Sequence, residues 1–223
     1  MMENFWLQPR CRRTRRQCVY LVMAVSCLLI LVGCASSGKP SYSVERYLLS
    51  YTAPSFSKPV RLPVFIKFNR FSSAAAYNTT NMIFRNDPYS LDSFNYSRWA
   101  VHPADMLCDD LLEDMRTSGL FGAVFSRYEE DEGRFIISGS VDEFYLRIDK
   151  DKKTAVIGIS ISLQDTREKE TGKRMMFQKK YSREEPLADS SPRGYCQAAS
   201  QAMQVLSRDI ITDVYTAVKV AAE

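Results

Sequence analysis

Between Ile157 and Leu163 every second residue is apolar: Ile157, Ile159, Ile161 and Leu163 alternate with Gly158, Ser160 and Ser162. A period of two places the four large side chains on one face of a strand and the small polar ones on the other. No helix gathers such a set on one side. The same alternation runs through Phe135, Ile137, Gly139 and Val141, slips at Asp142-Glu143, and resumes with Phe144, Leu146 and Ile148. A one-residue slip inside a continuing strand is what a β-bulge produces. The charged run DKDKK at 149–153 lies between the two alternating segments, so they are expected to pair as an antiparallel hairpin. Further strands are expected at 44–51, 60–68, 81–85, 122–128 and 173–183, the last following the turn residues Thr171-Gly172. Pro63 cannot donate to a ladder, so its strand should lie at an edge or carry a bulge.

Two stretches carry the helical period instead. Leu107, Leu111 and Met115 are spaced by four within 103–118, and Gly119 follows as a residue suited to a left-handed C-cap. Ala199, Met203, Leu206, Ile210, Val214 and Ala217 recur at three- and four-residue steps within 192–220. Helices with one apolar face need a sheet with one apolar face. The expected class is α+β: a largely antiparallel sheet with two helices on the same side, in a single domain. The other sheet face, with its serines and lysines, is left to water or a partner.

The N-terminus reads as a targeting segment. Arg10, Arg12, Arg13, Arg15 and Arg16 precede an apolar run from Cys18 to Val32. That run falls short of the ~20 residues a transmembrane helix needs and suits the h-region of a secretory signal. It ends at Leu31-Val32-Gly33-Cys34, a bacterial lipobox pattern in which the Cys34 thiol is lipidated and becomes the new N-terminus. The expected layout is a signal peptide at 1–33, a small, polar tether at 34–43 and one folded domain at 44–223. The segment before Cys34 holds five of the 30 basic residues and one of the 26 acidic ones, so 25 of each sign remain. A nucleic-acid binder keeps a lasting basic excess, and this chain does not.

No constellation in the mature chain reads as a catalyst. His102, the single histidine, precedes Pro103 at an expected helix start and has no serine or cysteine elbow to serve. Walker, G-x-S-x-G and G-x-G-x-x-G patterns are absent, and Ser36-Ser37-Gly38-Lys39 lies on the tether. The acids Glu129 to Glu132 read as a solvated hairpin tip. Cys108 and Cys196 have no zinc spacing, so no metal and no cofactor are expected. In an oxidising compartment these two cysteines leave a disulfide and a pair of free thiols both open.

The segment YNTTNMIFRNDPYSLDSFNYSRW at 77–99 crowds Tyr77, Phe84, Tyr89, Phe94, Tyr96 and Trp99 into a strand edge and a loop. Such residues either cap the core under a long connection or form a contact surface, since Tyr, Trp and Arg dominate interface hot spots. Tyr89, Phe94, Tyr96 and Arg98 are the candidate partner contacts.

Several ordered motifs resemble the ABC-type transport auxiliary lipoprotein family, to which PqiC-like lipoproteins belong. They are Tyr47-Leu48-Leu49, Ile83-Phe84-Arg85, Asp87-Pro88-Tyr89, Arg98-Trp99, Met106-Leu107, Ser118-Gly119-Leu120-Phe121, Gly139-Ser140-Val141-Asp142-Glu143-Phe144 and Leu163-Gln164-Asp165. The stretch FNRFSSAAAYNTTN before Ile83 is longer than the family pattern. The resemblance implies a non-catalytic periplasmic lipoprotein serving an ABC transporter with an MCE-domain subunit, which moves lipids or other hydrophobic molecules. Ala35 rather than Asp after Cys34 favours the outer membrane. A structural or assembly lipoprotein without a transport role is the alternative, and the number of copies, a homo-oligomer included, is left open.

Overall fold

The computed structural model describes residues 19–21, 23, 42–57, 60–150 and 152–222. Residues 19–21 and 23 are helical, and Val44–Glu223 forms one compact unit. The lipobox, Cys34 and most of the expected tether lie outside the described residues.

The long hairpin organises everything else. β7 (Phe135–Asp149) and β8 (Lys152–Asp165) pair antiparallel along their full length, with a register shift between Val141 and Glu143 where the alternation slips. On its far side β8 pairs antiparallel with β9 (Met175–Pro186). The free edge of β7 is shared, from one end to the other, by three shorter parallel partners. β2 (Leu62–Phe68) pairs with Phe135 to Ile137, β3 (Ser72–Ser73) with Ser140 and Val141, and β4 (Asn81–Arg85) with Leu146 and Arg147. β6 (Phe121–Phe125) pairs parallel to β2, β5 (Asp92–Trp99) antiparallel to β4, and β1 (Glu45–Tyr47) parallel to β5. The sheet is therefore mixed, with its longest ladders antiparallel.

Helices α1 (Pro103–Thr117) and α3 (Pro192–Ala222) share one core with the sheet; a short α2 (Thr171–Arg174) leads into β9. Leu107, Leu111 and Met115 of α1 and Met203, Leu206, Ile210 and Val214 of α3 are buried against Ile157, Ile159, Ile161 and Leu163. Each such side chain contributes about 1.5–3 kcal/mol when fully buried. α1 stops as its sequence requires, with Gly119 at φ 65°.

β2 pairs on both sides, so of the two outcomes expected for Pro63 the structure takes the bulge: the proline lies at the register shift between Leu62 and Phe65. Three other expectations need correction. Residues 92–99 form a strand where the sequence suggested strand edge and loop. The sheet face opposite the helices is only partly left to water: the long insert covers some of it, with Tyr77 of the 3-10 turn Ala75–Tyr77 stacked on Tyr145 (5.9 Å) above Ile83 and Val156. The strand expected at 44–51 ends at Tyr47, because the next backbone groups are taken by helix side chains. The Ser50 amide donates to Ser200 Oγ (3.0 Å), Gln204 donates to Thr52 O (2.7 Å), and Tyr215 donates to Val60 O (2.9 Å). This strap lies along α3, and Tyr51 ties it to Asp114 of α1 (2.8 Å).

Cys108 and Cys196 are both free thiols. Cys196 donates to Leu48 O (2.8 Å), while Cys108 lies against Asn69 O (3.7 Å).

Candidate partner-docking surface

The tip between β4 and β5 is built around Asp87. Its carboxylate accepts the amides of Tyr89 (2.8 Å) and Ser90 (3.1 Å) and the Ser90 hydroxyl, an Asx turn that fixes the loop without a core beneath it. The Ser90 hydroxyl and the Tyr89 amide together hold the Asp87 carboxyl below its ordinary pKa. Arg85 donates to Pro88 O on the same turn and lies 5.0 Å over the Tyr145 ring. The result is a braced turn that presents Tyr89 at 98% exposure. Beside it a depression of about 240 Å³ is lined by Arg85, Asp87, Tyr145, Arg147 and Asp149. Arg147 is held there by Glu184 (2.8 Å) and Asp149 (3.1 Å), and the Glu184 carboxylate raises its already high pKa.

β5 returns from this turn through a large register shift. Asn81 is opposite Arg98 and Ile83 opposite Ser93, so two steps along β4 face five along β5. The surplus bulges outward. It lets Phe94 pack edge-on to Phe84 (5.3 Å) while Trp99 enters the core, and it leaves Tyr96 48% exposed between them. Arg98 donates to the Phe94 and Ser97 carbonyls of its own strand, bracing the bulge.

The four candidate contacts are therefore unequal. Tyr89 and Tyr96 present surface, Phe94 is half-buried, and Arg98 is engaged in holding the bulge. Tyr77 and Trp99 are structural: Trp99 lies 4.9 Å from Phe144 and 5.4 Å from Tyr195. The neighbouring Leu91 and Val101 are also exposed, as is Leu48 beyond β1. Nothing in the sequence singles out these three, whereas Arg147 and Asp149 carry a signal in their alternate spacing on the polar face of β7. His102 is the exposed N-cap of α1 and makes no side-chain cap bond. Among the described residues no three metal-ligating side chains cluster, and no helix is long and apolar enough to cross a membrane.

A family model described as the ABC-type transport auxiliary lipoprotein component matches residues 47–211, from the last residue of β1 into α3. The chain belongs to this family. Its members are accessory lipoproteins, which makes this an envelope-associated, lipid-anchored protein. No curated protein matches the chain by sequence. Among solved structures, protein XCC0632 from Xanthomonas campestris superposes with a TM-score of 0.71 at 14% identity, over 80% of this chain and 99% of that one. A second, uncharacterized protein gives 0.58 at 11% identity, over 73% and 99%. At such identities the likeness concerns the fold alone, and it extends across the whole of both neighbours.

Proposed function

We propose that this lipoprotein is the membrane-tethered accessory subunit of an ABC transporter whose periplasmic MCE-domain subunit carries lipids or other hydrophobic molecules across a Gram-negative envelope. Lipid on Cys34 holds one end at the outer membrane, and the domain grips the MCE-domain subunit without catalytic turnover. The observation that carries the docking role is the turn at 86–91. Asp87 and Arg85 spend their hydrogen bonds on holding an exposed tyrosine, and a fixed aromatic binds with little loss of side-chain freedom. The bulge that turns Tyr96 outward on the next strand extends the same surface.

The test measures partner binding and melting side by side. Tyr89→Ala should weaken binding to the MCE-domain subunit by at least ~2 kcal/mol, about thirtyfold, with the melting temperature unchanged. Phe94→Ala, which removes the ring packed edge-on to Phe84, should lower the melting temperature. A Tyr89→Ala protein that binds normally removes the turn from the interface. A wild-type protein that binds no MCE-domain subunit overturns the transport role.

A further inference from the structure

Among the described residues strand β9 is bonded on one side only, to β8. A long strand with an unoccupied edge is a template for another strand, and proteins usually blunt such edges with scattered charge. In β9 the charge is sorted rather than scattered. From residue 179 the sequence reads Lys179, Lys180, Tyr181, Ser182, Arg183, Glu184, Glu185, with cations first and acids last.

We propose that β9 is a self-complementary edge that pairs antiparallel with β9 of a second copy, on a two-fold axis at Ser182. With Ser182 opposite itself, Lys179 meets Glu185, Lys180 meets Glu184 and Tyr181 meets Arg183, and the two-fold axis repeats each pair. Facing residues in an antiparallel pair project from the same side of the sheet, so this register keeps both helix layers on one side. The adjacent registers that also do so fail on charge. One sets Lys179 against Arg183, and the other sets Arg183 against its own copy.

The charges within one copy extend the match. Lys180 already pairs with Glu143 (2.9 Å) and Glu184 with Arg147, both on the polar face. Adding the second copy gives Glu143, Lys180, the second copy's Glu184 and the second copy's Arg147 in alternating sign. On the helix face Lys179 pairs with Asp213 (2.6 Å) and Arg183 with Glu185 (2.6 Å), so the same alternation results. Between β9 and α3 lies a depression of about 350 Å³, bordered by Tyr181, Ser182, Arg208, Asp209 and Asp213. It leaves room for the second copy's Arg183 beside the Tyr181 ring and the two acids. This is a closed, isologous contact, which produces a dimer and not a filament.

Sedimentation of the full-length protein in detergent tests this, with charge-reversed variants whose side chains are exposed. Lys180→Glu and Glu184→Lys each set like charges opposite one another, and each should raise the dimer dissociation constant at least about tenfold. An equimolar mixture of the two variants restores both pairs and should recover the dimer. Ser182→Cys, placed opposite itself, should form a disulfide-linked dimer under mild oxidation at a yield the unaltered protein does not show. Melting curves confirm that the variants are folded. The proposal is overturned by a wild-type protein that stays monomeric, by association that survives both reversals, or by a dimer that Ser182→Cys fails to cross-link.

Discussion

Trp99 and Tyr195 meet inside the core, and among the described residues neither the Trp99 indole nitrogen nor the Tyr195 hydroxyl finds a hydrogen-bond partner. An unpaired buried hydroxyl contributes nothing to offset its desolvation. Tyr195→Phe is therefore expected to leave stability unchanged or raised in urea denaturation, whereas Trp99→Ala, which opens a cavity among aromatic rings, should cost about 3–5 kcal/mol. A Tyr195→Phe protein destabilised by more than ~1 kcal/mol would show that the hydroxyl is paired after all. At this scale the sequence was a partial guide. It marked residues 77–99 as aromatic, but which of those rings are core depends on the β5 register shift. That shift arises from pairing with β4, a tertiary fact with no local signature.

α1 carries two acids one turn apart, Asp110 and Asp114, at its packed side. Asp114 accepts the Tyr51 hydroxyl, while one oxygen of Asp110 is buried without a partner. Burial, then the charges of Asp114 and Asp109, push the Asp110 pKa up to about 7. An unfolded aspartate titrates near ~4, so between about pH 4 and pH 7 the folded state binds the extra proton and stability falls as pH rises. Asp110→Asn should flatten that part of the pH–stability profile and raise the melting temperature above pH 7. A profile unchanged by the substitution refutes the account. The helices themselves were legible because their apolar residues follow a single period, and so was the bulge at Asp142, where that of the strand breaks. Beyond Tyr47 the strap leaves the strand although Leu48 and Leu49 have strand composition, because the Ser200 and Gln204 side chains that claim the backbone at Ser50 and Thr52 lie about 150 residues away in the sequence.

For the molecule as a whole, class and layering followed from the two periods, whereas the mixed order of the sheet did not. One β7 edge accommodates three short parallel partners, and no local pattern dictates their sequence. Attachment to the membrane is tested at Cys34. Cys34→Ser should abolish lipidation and release the protein from the membrane fraction, since several acyl chains at ~0.8 kcal/mol per buried methylene are what make attachment permanent. Mass spectrometry of the mature N-terminus checks it, and an unmodified Cys34 refutes it.

The strap has a mechanical consequence. A pull applied at residue 44 meets only the three-residue β1–β5 pairing and then isolated side-chain contacts along α3, which load one after another, while the β7–β8 ladder resists as a block. The stretch from 44 to 60 would peel away first, lengthening the chain by up to about 60 Å at ~3.5 Å per residue. A body held by such a leash can swing through tens of ångströms under tension while its folded core remains intact.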